Sequence, residues 1–208
     1  MRTYDITLPV REGLPGWPGD TPYRFRLGWS IAGGAPVNVG EVTASIHTGT
    51  HVDAPFHFDD AGATVEALDL TPFLGPARVA DLRGRPVIGV ADLASLDLAG
   101  TPRLLLRTGG WADHSRFPGS IPVLDRDVPA FLRDRGVILL GVDVPSVDPI
   151  DSKDLPIHHA LGAAGIAILE SVDLDGVPPG VYELIALPLR LVGADGSPVR
   201  AVLREVAG

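Results

Sequence analysis

The 208-residue sequence contains no cysteine. This absence excludes disulfide bonds, thiolate catalysis and cysteine-based zinc sites, so any metal ion must be held by nitrogen and oxygen ligands. The sequence also lacks an excess of positive charge, with 17 Lys and Arg against 26 Asp and Glu and a formal net charge of -9. This acidic balance argues against a nucleic-acid-binding surface, and we expect no nucleic-acid partner.

Long hydrophobic runs are missing as well. No stretch approaches the roughly 18 uninterrupted apolar residues of a membrane-spanning helix, and residues 1–6 begin no apolar segment typical of a signal peptide. We therefore expect a cytoplasmic protein with no membrane partner, and the lack of cysteine fits a reducing compartment. A chain of 208 residues with 45% hydrophobic composition can build one substantial core, so we expect a single domain over residues 1–208.

Strands are predicted by two patterns. Apolar and polar residues alternate in residues 23–27 and 37–42, which is typical of half-buried strands, and we expect these two to pair. Short apolar runs bounded by helix breakers predict strands buried on both faces at residues 104–106, 137–142 and 166–169. These three strands are expected to form the centre of a sheet.

Helices are predicted at residues 90–96, 127–135 and 155–164, and all three are short. Residues 182–192 and 199–206 flank the Gly-rich segment 193–197, a pattern that predicts a closing hairpin. Strands followed by mixed strands and helices indicate an α/β or α+β domain with a strand-rich core.

The densest chemical signal lies in residues 47–57, which contain three of the six histidines and one aspartate. Imidazole and carboxylate groups suit zinc and its divalent neighbours, and crowding them together is costly unless a cation balances the charge. Gly49 and Pro55 disfavour a continuous helix, so the ligands of this segment are expected on a loop that folds around the ion. A His-rich surface turn is the alternative interpretation.

Further ligand candidates, His158, His159 and Glu170, lie about a hundred residues later. The two histidines fall in the predicted third helix, and Glu170 directly follows the apolar run of the predicted buried strand at residues 166–169. A glutamate in that place needs a partner, unless the strand ends at an exposed edge where the carboxylate is solvated. His114 lies in a turn-like segment without other ligand types and is interpreted as a loop residue.

The sequence of residues 47–57 resembles the signature of the metal-dependent cyclase-like hydrolase family, in which a histidine, a Gly-Thr-His, an aspartate, a proline and a further histidine follow at this spacing. Wider matches resemble the kynurenine formamidase branch of that family and run nearly end to end. They cover residues 17–20, 106–109, 146–149, 152–159 and 183–189.

The resemblance implies a role for each matching residue. His47, His51 and Asp53 would bind one zinc ion, with Asp53 bridging to a second. His158 and Glu170 would complete the two-zinc site, with Glu170 as the second bridge, whereas His159 would pack or support the site. His57 would donate and accept the proton, and Trp17 would contact the substrate.

The resemblance also implies an α/β fold, namely a compact domain with a barrel-like, strand-rich core and short surrounding helices, assembled as a homodimer. The implied activity is zinc-dependent hydrolysis of N-formyl-L-kynurenine to L-kynurenine and formate in tryptophan breakdown, with manganese as an alternative metal. Two other functions remain open, namely hydrolysis of a cyclic amide, as in isatin hydrolases, and non-catalytic metal-dependent binding of small molecules. The presence of His57 argues against the second of these, because a binding protein needs no acid-base group beside its metals.

Overall fold

The fold is built around one curled sheet in a computed structural model that describes residues 1–206. The strands in chain order are β1 Thr3–Asp5, β2 Arg24–Trp29, β3 Val39–Thr43, β4 His51–Asp53, β5 Leu74–Asp81, β6 Val87–Ile88, β7 Arg103–Arg107, β8 Val123–Leu124, β9 Leu139–Val142, β10 Ala167–Glu170, β11 Gly180–Ile185, β12 Gly196–Pro198 and β13 Val202–Glu205. The α-helices are α1 Val90–Leu93, α2 Val128–Asp134 and α3 Pro156–Ala163, and single 3-10 turns cover Ile31–Gly33, Pro55–His57, Val65–Ala67 and Thr71–Phe73.

Nine strands form the main sheet in the order β1-β13-β11-β5-β7-β9-β10-β4-β12. The four central strands β5, β7, β9 and β10 run parallel, and the outer strands pair antiparallel to their neighbours. The sheet curls so that the segment after β1, at one edge, returns to the segment after β10: Thr7 bridges to Val172. This α/β half-barrel confirms the predicted class and the barrel-like core.

The central strands are buried on both faces, as their continuous apolar runs predicted. On β7, Leu104 and Leu106 face one hydrophobic cluster while Leu105, between them, faces another. Successive side chains on a strand point to opposite faces, so each strand contributes to both cores. The first cluster also includes residues of α2 and α3, and the second extends across the sheet from Leu203 on β13 to Val52 on β4.

The predicted helices are all present but shorter than expected at one or both ends. α1 ends at Leu93 rather than residue 96, and Asp127 precedes α2 without a capping hydrogen bond from its side chain. No helix in residues 1–206 combines the length and the apolar character required to cross a bilayer.

The ribbon of β2 and β3 corrects the prediction of half-buried strands. The two strands do pair, with Phe25 opposite Val42, but every residue of both is exposed. Alternation produces an apolar face here, yet no part of residues 1–206 covers it. Pattern alone does not reveal whether an apolar face finds a partner within the same chain.

The predicted closing hairpin is wrong at its tip. β11 and β13 pair antiparallel as expected, but the segment between them does not turn directly. Instead it crosses to the opposite edge of the sheet, where Gly196–Pro198 forms β12 beside β4. The glycines at positions 193 and 196 resemble a local turn in sequence, and only the curl of the sheet brings this segment to β4.

Candidate metal centre and active site

Strand β4 carries the first part of the site. His51 and Asp53 are two residues apart, so their side chains point to the same face of the strand, and His47 precedes them in a turn. The strand is paired on both sides, with β10 and with β12. The sequence predicted a loop at this position, and the correction is that a short buried strand fixes two of the three candidate ligands.

Glu170 reaches the same cluster through strand register. It lies directly opposite His51 in the antiparallel β4–β10 pair, and opposite residues share a face. Its side chain is buried, with the residue 3% exposed, and Oε1 accepts a hydrogen bond from the Val147 backbone N–H at 2.9 Å. The alternative of a solvated carboxylate at an exposed strand end is therefore wrong.

The donor atoms of these residues converge on Asp53. Its Oδ1 lies 3.1 Å from His47 Nδ1 and 3.4 Å from His51 Nε2, while Oδ2 lies 3.5 Å from His158 Nε2. Glu170 closes the far side, with Oε1 3.5 Å from His158 Nε2 and Oε2 3.6 Å from His51 Nε2. Two sets of three potential metal ligands result, and Asp53 belongs to both: His47, His51 and Asp53, and Asp53, His158 and Glu170.

Several of these polar atoms have no partner within the described chain. Both oxygens of Asp53 and Nε2 of His51 are buried and accept or donate no hydrogen bond there. Leaving one such group unpaired costs about 1–3 kcal/mol, and more when it is charged. Divalent cations would satisfy all three atoms, and a donor set of only nitrogen and oxygen suits zinc or manganese. The residues present therefore fit the metal ions that the sequence implied.

Two imidazoles are oriented by a hydrogen bond on the side away from the cluster. His51 Nδ1 lies 2.8 Å from the Gly49 carbonyl oxygen, and His158 Nδ1 lies 2.7 Å from Asp148 Oδ2. Each Nδ1 is thus the donor, which leaves Nε2 unprotonated toward Asp53 and Glu170 in the neutral ring. This arrangement recurs in proteins that bind metals through histidine.

Asp148 was part of a sequence match, but its place in the site was not predicted. The residue is fully buried after β9, and its carboxylate also accepts hydrogen bonds from the backbone N–H groups of Ile157 and His158 at about 3 Å. It therefore fixes the first turn of α3 together with the His158 ring. A buried strand followed closely by Asp-Pro was the signal that could have indicated it.

The sequence did not indicate Asp195 as a site residue, because it lies in the segment interpreted as a hairpin turn. Pairing of β12 with β4 brings its Oδ2 to 3.0 Å from His47 Nε2 and 3.6 Å from His57 Nδ1. His47, His57 and Asp195 form a third set whose geometry could hold an ion. The side chains of His57 and Asp195 are 30% and 40% exposed, so water can solvate them without a cation.

The cluster forms the floor of a cavity of about 400 Å³. Trp17, Trp111 and Phe117 line its wall, and Trp17 packs edge-to-face on Phe117 with ring centroids 5.3 Å apart. His57 also lines the cavity, on the 3-10 turn after β4. Of the predicted site residues, His47, His51, His57, His158, Glu170 and Trp17 line this cavity, and Asp53 contacts three of its histidines.

The remaining histidines lie apart from the cluster. His159 is exposed and packs against the Phe58 ring at 5.6 Å, and His114 contacts Trp111 edge-on at 5.0 Å. Neither lines the cavity above the candidate metal centre. The sequence interpretation of His159 as a packing residue fits this placement.

Opposing effects set the protonation of the site. Burial alone would lower the pKa of His47 and of His158, but carboxylate partners outweigh it and raise these pKa values to about 9 and about 10. Burial, reinforced by the charge of Asp53, raises the pKa of Glu170 to about 7. For His57 burial dominates and lowers the pKa, so this imidazole is mainly neutral near pH 7.

Comparisons with known proteins agree with the fold and with the candidate metal ligands. The family model "Cyclase: Putative cyclase" matches residues 4–149, which is most of the chain. The chain belongs to the cyclase family. A solved structure described as a "Potential Metal-Dependent Hydrolase With Cyclase Activity" is 30% identical and superposes with a TM-score of 0.84 over 99% of both chains.

Curated relatives of this chain include kynurenine formamidases. Those of Geobacillus thermodenitrificans (strain NG80-2) and Bacillus mycoides (strain KBAB4) are each 52% identical over 202 residues, covering 97% of both chains. Isatin hydrolase A from Ralstonia solanacearum, at 23% identity, has a TM-score of 0.83 over 98% of this chain and 92% of its own, which indicates a shared fold only. The family resemblance inferred from sequence is confirmed.

Metal binding to this cluster is expected to strengthen with rising pH. In the metal-free protein the raised pKa values of His47 and His158 mean that both rings are positively charged at pH 7. A metal ion that binds a ring nitrogen must displace the additional proton from each ring. The apparent zinc affinity should therefore rise at least about tenfold per pH unit between about pH 6 and 8. Calorimetric zinc titrations at several pH values measure this slope, and a flat profile would contradict the assigned ligands.

Proposed function

We propose that this protein hydrolyses N-formyl-L-kynurenine to L-kynurenine and formate with the help of bound divalent metal ions. The observation that carries the proposal is the buried Asp53 carboxylate, which has no hydrogen bond in the described chain and is shared by two sets of ligands beneath a cavity lined by Trp17, Trp111 and Phe117. The 52% identity to kynurenine formamidases over nearly the whole chain supports this substrate rather than another amide.

Zinc is the proposed metal, at two positions, with manganese as the alternative. His47, His51 and Asp53 would hold one ion, and Asp53, His158 and Glu170 the other, so that both carboxylates are engaged with metal. When bound, such ions polarise a carbonyl oxygen and lower the pKa of water to about 7.

His57 is the proposed acid-base residue. Its lowered pKa leaves the ring neutral near pH 7, so it can take a proton from the attacking water and return it to the departing aniline nitrogen. Asp195 lies on the Nδ1 side of the ring, which leaves Nε2 for this transfer. His57 lies outside both sets of ligands that contain Asp53.

Trp17 is the proposed contact for the aromatic ring of the substrate. Its indole and the Phe117 ring pack edge-to-face on the cavity wall, so both are held in place before a ligand enters. A cavity of about 400 Å³ is in the range of small-molecule sites. An aromatic formamide thus finds an apolar wall and a polar floor in one cavity.

The role of His57 predicts a separation of turnover from metal binding. His57→Ala should lower kcat for N-formyl-L-kynurenine by about 10²- to 10⁴-fold, because general acid-base catalysis is worth that much, with metal content unchanged. Kynurenine absorbance and metal analysis of the purified protein measure the two quantities. His159→Ala, the same change on an exposed neighbouring histidine, should leave both at wild-type values.

Two results would count against this assignment. Loss of bound metal in His57→Ala would make His57 a ligand rather than the acid-base residue. Absence of hydrolysis by the metal-loaded wild-type protein would remove the formamidase proposal and favour a cyclic amide as substrate.

A homodimer is the proposed assembly, and the β2–β3 ribbon supports it. Phe25, Leu27 and Val42 lie on one face of the ribbon and are about half exposed, although an isolated two-stranded ribbon is only marginally stable in water. Covering this face against a second chain would stabilise it.

The dimer predicts that the two faces of the ribbon respond differently to mutation. Replacing Phe25 and Val42 together by Ser should shift the mass in light scattering from two chains to one, because this pair lies on the apolar face. Replacing Arg26 and Glu41 by Ser in the same way should leave the dimer intact, because this neighbouring pair lies on the other face. A wild-type protein with the mass of one chain would contradict the proposal.

A further inference from the structure

Arginine carries almost all of the positive side-chain charge of this chain, and lysine is rare. The sequence contains 17 Lys and Arg, and only residue 153 is a lysine. That single lysine lines the cavity above the candidate metal centre, whereas none of the arginines in residues 1–206 lines it. Apart from the histidines of the floor, Lys153 is thus the one source of positive charge along the described wall.

The Lys153 ammonium has no polar partner in the described chain. Within residues 1–206 it forms neither a salt bridge nor a hydrogen bond, while many of the arginines are held by nearby carboxylates, as Arg107 is by Asp81. Lys153 is exposed at the edge of the cavity, so its ammonium is solvated and available to a ligand that enters.

The backbone around Lys153 is fixed relative to the metal cluster. The Ser152 N–H donates to the Pro149 carbonyl at 2.9 Å, and Ser152 Oγ accepts from the Leu155 N–H at 3.2 Å. Leu155 has a φ of 41°, which is unusual for a leucine and is held by this turn. α3 begins directly after this turn, at Pro156, and His158 lies in its first turn, so a short hydrogen-bonded segment connects Lys153 to the candidate metal site.

The wall also carries a carboxylate outside the metal cluster. Asp20 lines the same cavity, and its Oδ2 accepts a hydrogen bond from Ser45 Oγ at 2.8 Å. A further lining carboxylate, Asp195, contacts His47 and His57 of the floor. The remaining pair, one ammonium and one carboxylate beside aromatic rings, matches a ligand that carries both charges and an aryl group. An α-amino acid with an aromatic side chain has this chemistry, whereas a neutral aryl amide has no use for either charge.

We infer that Lys153 binds the α-carboxylate of an aromatic α-amino-acid substrate and thereby selects it over formylated anilines that lack this group. The inference rests on the proposed function, because it adds the recognition of the amino-acid head to hydrolysis at the metal centre. Lys153 is a specificity-determining residue in this account and takes no part in proton transfer.

Binding of two product-like probes isolates the carboxylate. L-Kynurenine and kynuramine share the aminophenyl ketone and the ammonium group, and only L-kynurenine has the carboxylate. The metal-loaded wild-type protein should bind L-kynurenine about tenfold or more tightly than kynuramine, since a hydrogen bond to a charged group is worth that factor. Calorimetry or quenching of tryptophan fluorescence measures both affinities.

Substitution of the lysine tests its part in this preference. Lys153→Met should abolish the preference by weakening L-kynurenine alone, and Lys153→Arg should keep part of it. Arg126→Met removes one positive charge from an exposed site outside the cavity and should keep the wild-type preference. Equal affinity of the wild-type protein for both probes, or equal weakening of both by Lys153→Met, would overturn the inference.

Kinetics supply a second readout. For N-formyl-L-kynurenine, Lys153→Met should raise KM about tenfold with kcat within about threefold, because the lost contact is the same in ground and transition states. Hydrolysis of 2-formamidoacetophenone, which lacks the amino-acid head, should not change. If the wild-type protein hydrolyses neither formamide, the proposed function fails, and the binding comparison alone still decides the role of Lys153.

Discussion

The Asp53 carboxylate is the constraint on which the site depends. It is buried among three imidazoles and beside a second carboxylate, Glu170, and neither of its oxygens has a hydrogen-bond partner in the described chain. Burying ionised groups is costly by several kcal/mol, and the nearby imidazoles offset this cost only in part, because none of them donates a hydrogen bond to Asp53. The proposed metal ions resolve this conflict, because they satisfy the unpaired oxygens and replace the protons that the raised pKa values hold on the histidines.

The curled sheet supplies the positions of the ligands, and the connecting segments supply their orientation. β4 is only three residues long, but pairing with β10 and β12 on its two sides places Glu170 and Asp195 around it. Two non-glycine residues with positive φ occur in residues 1–206, and they are Leu155 and Ser171, just before α3 and just after Glu170. Backbone strain is thus concentrated beside the candidate metal centre, as is common at functional sites.

Local patterns in the sequence predicted the central strands and the three helices, because these depend on periodicity. Residue type indicated the candidate ligands, whereas the role of each one was implied by the family resemblance. Contacts between distant segments were not predictable in this way. Asp195 reaches His47 only because the chain crosses the sheet before β12, and Asp148 joins His158 only when β9 and α3 are packed. The exposed face of the β2–β3 ribbon has a buried-strand pattern without a partner in the described chain.

The central claim is that Asp53 is shared by two metal ions, and counting ions per chain tests it most directly. Asp53→Asn keeps the size of the side chain but removes the charge that both sets of ligands use. After zinc loading and removal of excess metal, the wild-type protein should retain two ions per chain and the variant close to none. A variant that retains one ion at wild-type affinity would contradict a shared carboxylate and leave two independent sites.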